Sequence, residues 1–205
     1  LYPGPGAYAY TGYWFPKLVA RFDPASGAMS SSPTRYVLQS LGEARLRVAG
    51  TVIQQKQESM LIDAVRPWRL AWLASGLSSD GWTQSGTTAR IRVYASAGQT
   101  RAVEHFATLH LRAPHDVAGR PAKIATNLER RRVGVTPGGA SVDRLLVCVP
   151  AGGNAEIRID TTGSSRVEGD ERTIAEWTTK RPGSVLVSGI FMSDETGRPC
   201  VPKTP

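Results

Sequence analysis

The chain has 205 residues, a formal net charge of +8 and a pI near 9.9. A hydrophobic share of 40% with 20% charged residues excludes a disordered chain, and no run approaches the roughly 18 uninterrupted apolar residues of a membrane-spanning helix. The length suits one large domain that buries its own core without help from metal or a dense disulfide framework. Of the 25 basic residues, 20 are Arg, which fits the Arg-, Ala- and Gly-heavy usage of a GC-rich genome. The one dense basic run, Arg130-Arg131-Arg132, lacks the interleaved aromatics of a single-strand binder, and no helix-turn-helix, zinc-finger or RNA-binding signature accompanies it. No nucleic-acid partner is expected. The chain opens on LYPGPGAYAY without Met, basic n-region or apolar h-region, and reads as a processed product or an excised domain.

Gly 21 and Pro 14 favour many short elements joined by turns. Residues 1–33 read as an irregular N-terminal arm rich in Tyr, Trp and Phe, within which FPKLVARF is a candidate first strand. From 34 to 205 the pattern is that of a β-sandwich. In EARLRVAGTVI, Leu46 and Val48 oppose Arg45 and Arg47. IDAVRPWRLAWLAS is ambiguous: Pro67 interrupts a helical reading, and WRLAWL fits a strand equally well. In TARIRVYAS, Ile91 and Val93 oppose Arg90, Arg92 and Tyr94; in VEHFATLHLRAP, Ala107, Leu109 and Leu111 oppose Phe106, Thr108 and His110; in NAEIRIDTT, Ala155, Ile157 and Ile159 oppose Glu156, Arg158 and Asp160. Period-two burial of this kind makes one wet and one dry face. SVDRLLVCVPA and GSVLVSGIFMS are apolar almost throughout and read as central strands, while ERTIAEW is compatible with a short helix at 170–180. The expectation is an all-β, antiparallel, jelly-roll-like sandwich with at most short helices.

Cys148 and Cys200 lie outside any CxxC or Cys/His cluster, so they read as a disulfide that closes a 52-position loop, against the alternative of two buried thiols. A bridge places the domain outside the cytoplasm. The three histidines, His105, His110 and His115, come with no GxSxG elbow, and no catalytic residue is assigned. The acids Asp80, Asp160, Glu168, Asp170, Glu171, Asp194 and Glu195 read as turn and surface carboxylates. Some of them, with backbone carbonyls, have the chemistry for a structural calcium, but no DxDxDG loop is present and neither metal nor cofactor is predicted. Trp82 follows the turn-former Asp80-Gly81, which puts its ring near a loop tip. An indole there offers a flat apolar wall, and Asp80, Arg92 and Tyr94 are the candidate partners for a sugar ligand. Packing is the competing reading for each of Trp14, Trp68, Trp72, Trp82 and Trp177.

The order WLASGLSSDGWT (72–83), then ARIRVY, LHLRAP (109–114) and VDRLLVCVP (142–150) resembles the extracytoplasmic β-sandwich domains of bacterial multi-pass membrane proteins of the glycosyltransferase type. The resemblance covers about 72–192 and marks Asp80 and Trp82. It implies a carbohydrate-binding soluble domain at the cell envelope, tethered to a membrane-embedded parent that carries the catalysis. The implied ligand is a cell-wall or lipid-linked glycan. The alternatives are an assembly domain that packs against its membrane partner, and a glycan hydrolase whose acids are not identified.

Overall fold

The computed structural model describes residues 8–10, 21–32, 34–40, 45–56, 59–77, 81–83, 88–113, 120–136, 139–161, 185–193 and 197–201. Its regular elements are strands: β1 (Tyr8–Tyr10), β2 (Tyr36–Ser40), β3 (Leu46–Val48), β4 (Gly50–Gln55), β5 (Ser59–Ala64), β6 (Leu70–Ser75), β7 (Ala89–Tyr94), β8 (Val103–Arg112), β9 (Arg120–Ala125), β10 (Arg130–Val135), β11 (Ala140–Val149), β12 (Asn154–Asp160) and β13 (Leu186–Ser193). WRLAWL is therefore a strand, and the Arg66–Pro67 bond before it is cis. The expected helix at 170–180 and residues 15–20 of FPKLVARF lie outside the described residues.

The period-two pattern builds the sandwich. Six strands in the order β10-β9-β12-β7-β6-β3 face three in the order β11-β8-β13. Between them lies a core that includes Ile91 and Val93 of β7, Leu109 and Leu111 of β8, Ile124 of β9, Leu145 and Val147 of β11, and Ile157 and Ile159 of β12. All pairings in these two sheets are antiparallel. The all-β sandwich is thus as expected; among the described residues its two main sheets divide six and three.

Three features go beyond the sequence reading. First, a third sheet, in the order β1-β2-β5-β4, covers the β3–β6 end of the large sheet's outer face. It encloses a second core of Val37, Leu46, Val48, Met60, Ile62, Trp68, Leu70 and Tyr94. Trp68 is fully buried there and donates from Nε1 to the Thr34 carbonyl at 2.8 Å. Phe22 and Met29, from the stretch expected to be an irregular arm, pack into the same core, and β1 pairs parallel to β2.

Second, β11 and β13 are not central: they flank β8. Their continuous apolar appearance has a different cause, since a β-bulge in each strand switches the inward parity partway along. Inward residues run Val142 then Leu145, Val147 and Val149 on β11, and Val187 then Ile190 and Met192 on β13. Third, β6 is bulged at Ala71, because Arg47 pairs with Trp72 while Val48 pairs with Leu70. The bulge sends Leu70 into the second core and Trp72 and Ala74 into the first.

Side chains close the open side of the small sheet. Asn127 Oδ1 accepts from the Cys148 N–H at 3.0 Å, and Asn127 Nδ2 donates to the Cys148 carbonyl at 2.7 Å. Thr126 Oγ1 donates to the Leu146 carbonyl at 2.7 Å, and Glu129 accepts from the Leu146 N–H. This β9–β10 turn so occupies the edge of β11 as a neighbouring strand would. At the C-terminus, Cys200 is disulfide-bonded to Cys148. The Glu104 N–H donates to the Arg198 carbonyl at 2.9 Å, which lays the tail against the start of β8. The pairing expected of the two cysteines is the one formed. A disulfide points to a compartment outside the reducing cytoplasm.

Candidate functional site

Trp82 occupies a crosspiece between the two main sheets. The Val187 N–H donates to the Gly81 carbonyl at 2.9 Å, the Thr83 N–H donates to the Val185 carbonyl at 2.9 Å, and the Val185 N–H donates to Thr83 Oγ1 at 2.9 Å. Thr83 also bridges Leu77, at the end of β6. Gly81 and Thr83 are buried, so alternation turns Trp82 the other way. Trp82 is half-buried and pairs with Leu186, which in turn pairs with Arg112 of β8. The indole thus belongs to the outer face of the small sheet and is not sealed in the interior.

The other expected partners are elsewhere. Arg92 is exposed on the outer face of the large sheet, on the opposite side of the main core from the row that holds Trp82. Tyr94 shares its strand face with Arg92, but the third sheet and the 22–29 segment cover that end, and Tyr94 is only 4% exposed. Gly27 sits on its ring: a Cβ at Gly27 would lie 2.6 Å from ring carbons of Tyr94. Tyr94 is consequently a core residue with no surface for a ligand. Asp80 lies outside the described residues, as does His115. Trp82 is not brought together with Arg92 and Tyr94.

The outer face of the small sheet assembles a different group. On β8 it carries Phe106, Thr108, His110 and Arg112, the alternation that leaves His110 and Arg112 exposed. On β13 the bulge after Val187 turns Phe191 outward, opposite Thr108, where it is 58% exposed. Its ring meets the His110 ring edge-on, with centroids 5.3 Å apart and planes at 81°. Gly189 makes this possible, since a Cβ there would come within 2.8 Å of the Phe191 ring and 3.1 Å of the His110 ring. A glycine beside an aromatic on a sheet lets the ring lie back over the bare backbone.

On β11, Asp143 and Arg144 together oppose the single residue Thr108. Arg144 adopts φ 53°, uncommon for a residue with a side chain. Its carbonyl accepts from Arg131 Nη2 at 3.0 Å, and Arg131 is itself held by both oxygens of Glu129. The guanidinium of Arg144 reaches over the Phe106 ring, 5.4 Å from its centroid. Bulges that re-aim a side chain are enriched beside functional sites. The face therefore combines the exposed Phe191 ring and the half-buried Phe106 and Trp82 rings with Arg144, Arg112 and His110 as hydrogen-bonding groups, an arrangement suited to a ligand with both apolar and hydroxylated faces.

Sequence patterning revealed the β8 half of this group, because Phe106, Thr108 and His110 share a face. It missed Phe191 and Arg144, whose directions depend on bulges. Among the described residues, no group of three or more His, Cys, Asp or Glu has the arrangement to hold a metal, and no helix is long and apolar enough to cross a membrane. Comparison of the chain with protein-family models, with curated proteins and with solved structures returns no match in any of the three.

Proposed function

We propose that this chain is a noncatalytic carbohydrate-binding domain of the cell envelope, the soluble part of a membrane-anchored glycosyltransferase-type protein. One observation carries the reading: Phe191, 58% exposed, is held against His110 on the outer face of the small sheet. A large exposed ring that is positioned rather than loose is what stacking on the C–H face of a sugar requires. Arg112 and Arg144 supply hydrogen bonds around it, and Trp82 extends the surface at the β13 edge. The disulfide supports an extracytoplasmic setting. The likeness of the 72–83 stretch to envelope glycosyltransferase domains supplies the ligand class, a cell-wall or lipid-linked glycan.

An array of envelope oligosaccharides tests this. The unmodified domain is expected to bind at least one of them, and Phe191→Ala to weaken that binding about tenfold, the loss of roughly one aromatic stacking contact. Trp82→Ala shows whether the ligand extends along β13. Absence of binding by the unmodified domain, or binding indifferent to Phe191, rejects the proposal.

A second reading, an assembly domain, draws on β4. This edge strand is exposed along its whole length, with Val52 39% and Ile53 54% exposed. An open strand edge with apolar side chains is a template for a partner strand. Val52→Lys with Ile53→Lys abolishes capture of a membrane partner under this reading and leaves glycan binding intact.

A further inference from the structure

The large sheet has an outer face of its own beyond the part under the third sheet. Strands β10, β9, β12 and β7 turn their apolar residues to the main core, so alternation turns Arg130, Arg132, Lys123, Arg158, Arg90 and Arg92 outward, and all six are exposed. Register places them together. Arg132 lies beside Lys123, and Lys123 beside Asp160. Arg130 and Arg158 flank Ala125, and Arg158 lies beside Arg90. Arg92 lies beside Glu156. Six cations thus share this face with two carboxylates. Glu156 accepts from Arg158 Nε at 2.6 Å and from Arg90 Nη1 at 3.4 Å, which fixes two guanidinium groups in place and leaves a positive excess.

Strand spacing makes the cluster about 15 Å across the sheet, and residue rise makes it about 13 Å along it. It is as broad as it is long. A linear polyanion needs a track one charge wide, whereas a planar array of phosphates matches a patch extended in both directions. The large exposed apolar residues among those described, Val52, Ile53, Phe191 and Val201, all lie elsewhere, so nothing on this face is suited to insertion among acyl chains. Guanidinium forks bind phosphate oxygens in pairs, and each basic side chain near an anionic membrane adds to the attraction.

We infer that this face docks the domain on a membrane surface through the phosphates of anionic phospholipids. The contact is electrostatic and superficial, and it leaves the aromatic face, on the opposite side of the main core, turned away from the bilayer.

The test is sedimentation of the 205-residue chain with vesicles of phosphatidylcholine alone or with 30% phosphatidylglycerol. Binding is expected only to the anionic vesicles and is expected to vanish on raising salt from about 50 to about 500 mM. The triple variant Arg130→Glu, Arg132→Glu, Lys123→Glu is expected to lower partition by at least about 100-fold. A control triple of equal charge change in loops, Arg21→Glu, Arg66→Glu, Arg101→Glu, is expected to lower it far less; circular dichroism confirms that both variants fold. Equal binding to uncharged vesicles overturns the inference. So does an equal effect of the two triples, which would make net charge the cause. Tighter binding to soluble polyphosphate than to the anionic vesicles overturns it as well, because the face would then be reading a linear polymer.

Discussion

Tyr94 shows how one residue's surroundings decide its role. It follows two outward-facing arginines at period two, yet its ring is roofed by Gly27 and packed with Trp68 and Leu70. Its hydroxyl is buried, and among the described residues the guanidinium of Arg92 is the polar group that lies near it. Burial raises the phenol above its ordinary pKa of 10.0, and the nearby Arg92 charge offsets part of the rise. Two outcomes follow. Tyr94→Phe removes a buried hydroxyl with no well-formed hydrogen bond among the described residues, so denaturant unfolding is expected to show a change of less than about 1 kcal/mol, whereas Tyr94→Ala is expected to cost about 3–5 kcal/mol for the lost ring and the cavity. The pH dependence has a definite sign. The folded state holds the phenol proton more tightly than the unfolded state, so this contribution is complete below pH 10.0 and is lost as pH rises from there through the folded-state value. Unfolding midpoints measured from pH 8 to pH 11 should therefore fall less steeply in Tyr94→Phe than in the unmodified chain. Gly27 is the converse case. With φ 65° and no room for a Cβ, Gly27→Ala combines left-handed strain with a clash into the Tyr94 ring, and a loss of about 2–5 kcal/mol is expected in the same assay.

At the scale of elements, the β9–β10 turn is the test of how the sandwich guards its edges. Asn127 bonds both polar groups of the Cys148 peptide unit's residue, so Asn127→Ala uncovers the N–H and carbonyl on the edge of β11. The expected cost is about 1–3 kcal/mol in denaturant unfolding, with self-association at high concentration visible in analytical ultracentrifugation. Asn127 drew no attention in the sequence because a turn Asn is ordinary and its target lies 21 residues away. The same separation explains what was and was not legible elsewhere. Strands with unbroken alternation, β7 and β12 above all, could be read with their buried faces from Ile91, Val93, Ile157 and Ile159. Where a bulge adds a residue, the parity of everything beyond it reverses, and a single sequence carries no local mark of the insertion. Phe191 and Arg144 were missed for that reason, and the same effect made β11 and β13 look buried on both faces. The third sheet escaped because its edge strand β4, GTVIQQ, does not alternate in sequence and is exposed on both sides.

At the scale of the whole molecule, the C-terminal tail is held in two ways: by backbone pairing to the start of β8 and by the Cys148–Cys200 bond. The Glu104 N–H meets the Arg198 carbonyl at 2.9 Å, and the Cys200 N–H meets the Ala102 carbonyl at 3.2 Å. Two strand-like bonds near a chain end are a weak anchor against fraying, since ordering each residue costs about 1–2 kcal/mol of backbone entropy. The bridge removes most of that cost in advance by restricting the unfolded chain over 52 positions, a contribution of about 4 kcal/mol in the chain-entropy treatment. The double variant Cys148→Ser, Cys200→Ser is therefore expected to lose about 4 kcal/mol in denaturant unfolding, with a larger m-value because its unfolded state is less compact. Amide exchange separates the disulfide's local role from its global one. In the variant, the Glu104 and Cys200-position amides should exchange through tail opening, far faster than global unfolding allows. The Leu109 and Leu111 amides, deep in β8, should follow only the global loss. Unchanged protection at Glu104 relative to Leu109 would show that backbone pairing alone docks the tail, and that the covalent link acts on the unfolded ensemble only.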